Sequence, residues 1–115
     1  MNRITDWFYM CGGNVGVKDI VSAVNGQYDI EVWSEADILE IGKGKSSIDF
    51  EPCNTQRWDD FSRDFLTKNN VEKVYYVSVG DSFTDSETDS LMKSVCNVCN
   101  GMFCADTADF EPIVR

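Results

Sequence analysis

The chain has no histidine. That absence removes the Ser-His-Asp and Cys-His triads, His-ligated zinc and the usual proton shuttle at neutral pH. Positive charge is scarce: 10 Lys and Arg stand against 20 Asp and Glu, for a net charge of −10. Nucleic acid and anionic membranes both require a basic footprint, so direct binding to either is not expected. No apolar run approaches the roughly 18 residues of a membrane-spanning helix. The opening MNRITDWFYMCGG holds one Arg and a short apolar stretch broken by Asp6, which is not the pattern of a secretory leader. A cytoplasmic location is therefore expected. Cysteines are five, an odd number, at Cys11, Cys53, Cys96, Cys99 and Cys104, and free thiols are the expectation. There is no internal repeat, linker or low-complexity segment.

The chain has 115 residues, 43% of them hydrophobic and 12% aromatic, enough for one domain with its own core. Its centre is Tyr28 to Glu51, which reads as three strands: YDIEVW, ADILEIG and SSIDFE. Apolar residues alternate with acids in each, the period of a half-buried sheet. Tyr28, Ile30, Val32, Leu39, Ile41, Ile48 and Phe50 take one face. Asp29, Glu31, Glu40, Asp49 and Glu51 take the other, with Trp33 among them. Like charges facing each other across strands are destabilising, so this is an unusual solvent face.

Around that centre, RITDWFYM reads as a strand buried on both faces. Residues 17–24 carry an apolar stripe at Val17, Ile20, Val21 and Val24, a short helix that Asn25-Gly26 should stop. A second helix is expected over 56–68, capped by Asn54 or Thr55, with Trp58, Phe61, Phe65 and Leu66 on its buried side. VEKVYYVSV is the strongest strand signal and belongs at the middle of the sheet. Thr84 and Glu87 form a capping box for a third helix over 86–100, with Leu91, Val95 and Val98 on its stripe and Gly101 at its end. A short strand follows at 102–105, and Phe110, Ile113 and Val114 of the tail are free to dock. The order β-α-β-β-β-α-β-α-β predicts an α+β domain: a mostly antiparallel sheet with helices on one face and the acidic face open.

Five chemistries compete with that face. Gly12-Gly13-Asn14-Val15-Gly16 invites a phosphate loop but matches neither Walker A nor the dinucleotide fingerprint, and reads as a turn. Cys96-x-x-Cys99 with Cys104 and Cys53 has the ligand types for zinc, yet the pair lies inside a helical pattern and the second knuckle lacks the spacing. CxxC redox sites open a helix, whereas this one closes it. Asp81, Asp85, Glu87 and Asp89 lack calcium-loop spacing and suit the helix dipole better. Paired carboxylates for glycoside chemistry would need a pocket. No catalytic residue, metal or cofactor is expected.

The acidic face itself is either a solvated surface or a binding surface. Its acids come from three strands, no lysine interrupts 27–42, and an exposed tryptophan beside them is a residue type enriched at interface hot spots. Such a surface fits a basic protein: the phosphate-binding cleft of a nuclease toxin, or a DNA-binding protein whose nucleic acid it imitates. The expected contacts are Glu31, Trp33, Glu40, Asp49 and Glu51. Asp59, Asp60, Asp81 and Asp85 form a second patch should the sheet face be covered.

The runs ILEIGKGKSSIDFE, VYYVSV and GMFCADTADFEP, with the length and charge, resemble the small acidic immunity proteins that sit beside bacterial polymorphic toxins, including contact-dependent inhibition systems. The resemblance spans residues 28–112 and carries no signature motif, so it assigns no role to any residue. It implies a cytosolic protein that binds a cognate toxin and blocks it without catalysis. The alternatives are a phage-type nucleic-acid mimic acting on a host defence or DNA-binding protein, and a small Cys-ligated metal-binding domain.

Overall fold

A computed structural model describes residues 3–24 and 26–115. Among them the chain forms β1 (Asp6–Cys11), α1 (Val17–Ser22), β2 (Asp29–Trp33), β3 (Ile38–Lys43), β4 (Ser46–Pro52), α2 (Asp60–Lys68), β5 (Lys73–Val79), α3 (Asp85–Cys99), β6 (Met102–Ala105) and β7 (Ile113–Val114). All seven strands join one antiparallel sheet in the order β2-β3-β4-β5-β1-β6-β7. This is an α+β domain. β5 is the middle strand, as its β-branched and aromatic run demands. The nearly unbroken apolar run of β1 follows from its place between β5 and β6. Trp7, Tyr9 and Cys11 enter one core layer, and Phe8 and Met10 enter the other.

The two layers explain where the helices go. The first contains Leu39, Ile41, Ile48, Phe50, Tyr75 and Val77 and is roofed by α1 and α3. The second is confined to the β5-β1-β6 half, where Phe8, Met10, Val74, Met102 and Cys104 are buried. That half is apolar on both faces and must be covered on both. So α2 crosses to the second face and packs Phe65 and Leu66 there, beside Trp58 and Phe110. The sequence pattern placed all helices on one face; two lie there, and the third roofs only part of the other. The β2-β3-β4 half carries acids on its second face and needs no cover.

Local boundaries move for identifiable reasons. α2 starts at Asp60 because Asp59 is its N-cap, accepting from the Ser62 N–H at 2.8 Å. Asn54 and Thr55 instead hold a turn, through Gln56 N–H to Asn54 at 2.9 Å and Trp58 N–H to Thr55 at 3.1 Å. Trp58 leaves the helix line to meet Phe8 edge-on at 5.0 Å and to stack on Phe110 at 5.7 Å. The inward side of α2 then runs between Phe65 and Leu66, and Phe61 is left 58% exposed on the flank. In α3 the buried stripe is Thr88, Leu91, Met92, Val95, Cys96 and Cys99, which leaves Val98 exposed beside it. The expected capping box of Thr84 and Glu87 is formed. α1 ends at Ser22 with Ala23 as its C-cap; Asn25, expected to stop it, lies outside the described residues. The tail docks and adds β7, pairing Phe103 with Val114 and Cys104 with Ile113.

Gly101 is required by space: at φ +82, a β-carbon there would meet the Met10 carbonyl at 2.5 Å. Asp37 holds three elements together from the β2–β3 turn. Its carboxylate accepts from the Val17 N–H at 3.1 Å and the Tyr75 hydroxyl at 2.7 Å, and pairs with Lys73 at 2.6 Å. Burial raises its pKa, but the hydrogen bonds from Lys73, Tyr75 and Val17 outweigh it and hold the carboxyl below the ordinary range. That stabilisation is present above the unfolded value of about 3.9 and is lost as pH falls through the lower folded value. Asp37→Ala is expected to cost about 2–3 kcal/mol in denaturant unfolding at pH 7, since it removes the carboxylate that Val17, Tyr75 and Lys73 share and leaves Lys73 and Tyr75 only the Val15 carbonyl, at 2.6 and 3.4 Å. Acidification to below about pH 4 should then cost the variant less than it costs the wild type.

Candidate protein-binding face

Strand register brings the acids of the central stretch into a row. Glu31 lies opposite Glu40, and Glu40 opposite Asp49. The same register continues from Asp49 to Ser78 and from Ser78 to Asp6. Directly opposed side chains in an antiparallel pair are about 4.5–5.5 Å apart at Cβ, so adjacent strands concentrate this charge. The alternation that buries Leu39, Ile41, Ile48 and Phe50 turns these acids to the opposite side, away from α1 and α3. Glu31 and Glu51 are exposed, and Glu40 and Asp49 are half-buried between their neighbours.

Nothing described neutralises the row. Among the described residues the ion pairs are Arg3–Asp85, Lys43–Glu87, Lys73–Asp37 and Lys93–Asp89, and none involves it. Lys43 is near in sequence, but its parity turns it to the helical face, where it meets Glu87 at 2.6 Å and lies over the Phe83 ring. Asp49 accepts from the Ser47 hydroxyl at 2.8 Å, which orients it without cancelling its charge. Trp33, on the edge strand β2, is 46% exposed.

A second row lies beside the first. Glu51 pairs with Tyr76, and Tyr76 with Phe8. Burial first, then hydrogen bonding and charge from Asp6 and the nearby charges of Asp106 and Glu51, push the Tyr76 phenol up to about 12. The acidic surface thus gains Asp6 and Asp106. Asp6 was hidden because the apolar run after it reads as buried on both faces, although its parity with Phe8 was a usable signal. Asp106 carries no periodic signal.

The second patch does not form as a unit. Asp59 and Asp60 start α2 on the second face. The Asp59 carboxyl is held below its ordinary range by the Ser62 N–H it caps. Asp81 is exposed in the turn after β5. Asp85 opens α3 on the other side of the sheet and faces Arg3 at 3.3 Å. Residues close in type were separated by the sheet between them.

The competing chemistries lose their geometry. The sheet divides the cysteines: Cys96 and Cys99 lie in the first core layer, Cys104 and Cys53 in the second. Among the described residues no three His, Cys, Asp or Glu side chains gather as a metal site. Asp85, Glu87 and Asp89 each face their own cation. In the glycine turn, the Gly13 and Gly16 N–H groups already donate to Glu72 and Asp19.

One stability measurement checks the row. Glu40→Lys puts a cation between Glu31 and Asp49 and converts two repulsive cross-strand pairs into attractive ones. It is expected to raise stability by about 0.5–2 kcal/mol, read as a higher urea midpoint. An unchanged or lower midpoint would show that these carboxylates do not feel each other.

Fold and face together define an antiparallel α+β domain with a bare acidic surface on one half of its sheet. Comparison with family models, curated proteins and solved structures returns no match for this chain.

Proposed function

We propose that this protein is a non-enzymatic inhibitor that binds and neutralises a basic protein through the acidic half of its sheet, and that its partner is a cognate, nuclease-like toxin, which makes it a bacterial immunity protein acting in the cytoplasm. One observation carries this reading: Glu31, Glu40 and Asp49 stand side by side across three strands with no cation against them among the described residues. A fold that tolerates such repulsion in the free state lowers it when a cationic surface arrives. Glu51, Asp6 and Asp106 extend the surface, and Trp33 supplies an exposed aromatic anchor at its edge.

The experiment is capture. The purified chain, immobilised, is offered the products of neighbouring genes, and the captured protein is tested for toxicity with and without it. A single basic partner whose toxicity is suppressed is the expected result. Capture of several DNA-binding proteins, each competed off by DNA, would favour the nucleic-acid mimic instead. Retention of none, or protection that survives loss of binding, would end the inhibitor reading.

A further inference from the structure

β2 is an outer strand of the sheet and pairs with β3 alone. The pairing runs without a bulge from Asp29 to Trp33. Among the described residues, no backbone bond other than those to β3 reaches these five. Four of the five are exposed. A free edge of this kind is a template for another chain, and proteins ordinarily guard it with proline, lysine, a bulge or brevity. The far edge of the sheet is guarded: β7 has two residues and follows Pro112. β2 has neither proline nor lysine. Its charges are Asp29 and Glu31, which repel an acidic strand and attract a basic one.

The two faces of β2 specify what fits beside it. Glu31 ends the row that runs through Glu40 and Asp49, so an added strand meets that row directly. On the helical face Val32 lies opposite Leu39. Leu39 is fully buried, whereas Val32 is 37% exposed, so the apolar layer is unfinished at this edge. A cation across from Glu31 relieves the repulsion along the row, and an aliphatic residue across from Val32 completes the layer. A second copy of the chain brings its own acids: a two-fold about Glu31 sets that residue against itself, and one about Ile30 sets it against Asp29. We propose that the basic partner adds an extended strand to the free edge of β2, with Lys or Arg on the acidic face and aliphatic residues beside Ile30 and Val32. Main-chain hydrogen bonds then supply affinity and the alternating side chains supply specificity. This inference rests on the reading above of a basic protein partner, and names how that partner is held.

The probe is the peptide acetyl-GKVKVKG-amide, added to the full, isotope-labelled chain and read at the backbone N–H groups of residues 29–33. Those on the free side are expected to move downfield. They should exchange with deuterium about tenfold more slowly at a peptide concentration of about ten times its dissociation constant. The counterpart acetyl-GEVEVEG-amide should bind about tenfold more weakly or worse. The lysine peptide N-methylated at every Lys and Val keeps its charge but cannot approach as a strand, and should protect none of these groups. Glu31→Lys, at an exposed position, should weaken the lysine peptide about tenfold. The proposal falls if the lysine peptide leaves β2 unprotected up to its solubility, if the N-methylated peptide protects it equally, or if the glutamate peptide binds as tightly. Protection of β2 that rises with protein concentration in the absence of peptide would give the edge to a second copy and also overturn it. The same exchange is then read in the complex with the captured partner. An unprotected β2 in a complex that suppresses toxicity would overturn strand addition and leave the inhibitor reading standing. Pairing with the lysine peptide but capture of no basic protein would end the inhibitor reading and leave β2 as an edge that takes basic strands.

Discussion

Reversing Glu31, Glu40 and Glu51 together to Lys should weaken binding to the captured basic partner by about a thousandfold or more, and with it all protection. Two of these acids belong to the row and the third to its neighbour, so the change inverts the field that the partner meets. Charge at such a surface acts mainly on encounter, and electrostatic steering raises association rates by about 10–10³-fold. Wild-type association should therefore slow as salt rises through about 0.15 M, where the screening length is about 8 Å. The variant's association should lose that dependence. The fold should survive, because the three acids hold no described ion pair. After the change the row has one repulsive and one attractive neighbour pair where it had two repulsive ones. Calorimetric titration, stopped-flow mixing and a thermal melt read the three effects separately. Wild-type affinity in a folded variant would exclude this surface as the interface.

The largest stability effect belongs to Tyr9. Its ring is fully buried, stacks on Phe103 at 4.6 Å and on Tyr75 at 6.3 Å, and meets Phe50 edge-on at 6.4 Å. Its hydroxyl donates to the Asn100 carbonyl at 2.6 Å and so ties β1 to the end of α3. Tyr9→Ala is expected to cost about 3–5 kcal/mol, the usual range for emptying an aromatic core site. Tyr9→Phe should cost about 1 kcal/mol, since only that hydrogen bond is lost. Urea unfolding of both variants checks the split; equal costs would place the energy in the hydroxyl and not in the ring.

The same burial sets an alkaline limit. Burial raises the phenols of Tyr9 and Tyr75 above their ordinary range and pushes the Cys11 and Cys104 thiols up to about 12 and Cys96 up to about 11. A group with a raised folded value contributes its full stability below its unfolded value and loses it as pH rises through the folded one. Stability should hold through neutral pH and decline from about pH 8.5, where unfolded thiols begin to ionise.

Period-2 alternation alone determined that Glu31, Glu40, Asp49 and Glu51 share a face opposite Leu39, Ile41, Ile48 and Phe50, because successive side chains of a strand must alternate sides. Local chemistry likewise marked the cap at Thr84 and Glu87 and the central place of β5. What those patterns do not contain is adjacency between strands distant in the chain. Only the register of β4 on β5 and β5 on β1 carried the acidic row on to Asp6 and set Glu51 beside Tyr76. Only packing sent α2 across the sheet to cover Phe8 and Met10, left Phe61 and Val98 outside, and split the cysteines and the second acidic patch between two layers. A residue's own neighbours dictate which way it points along a strand or helix; burial of the whole apolar surface dictates what it meets there.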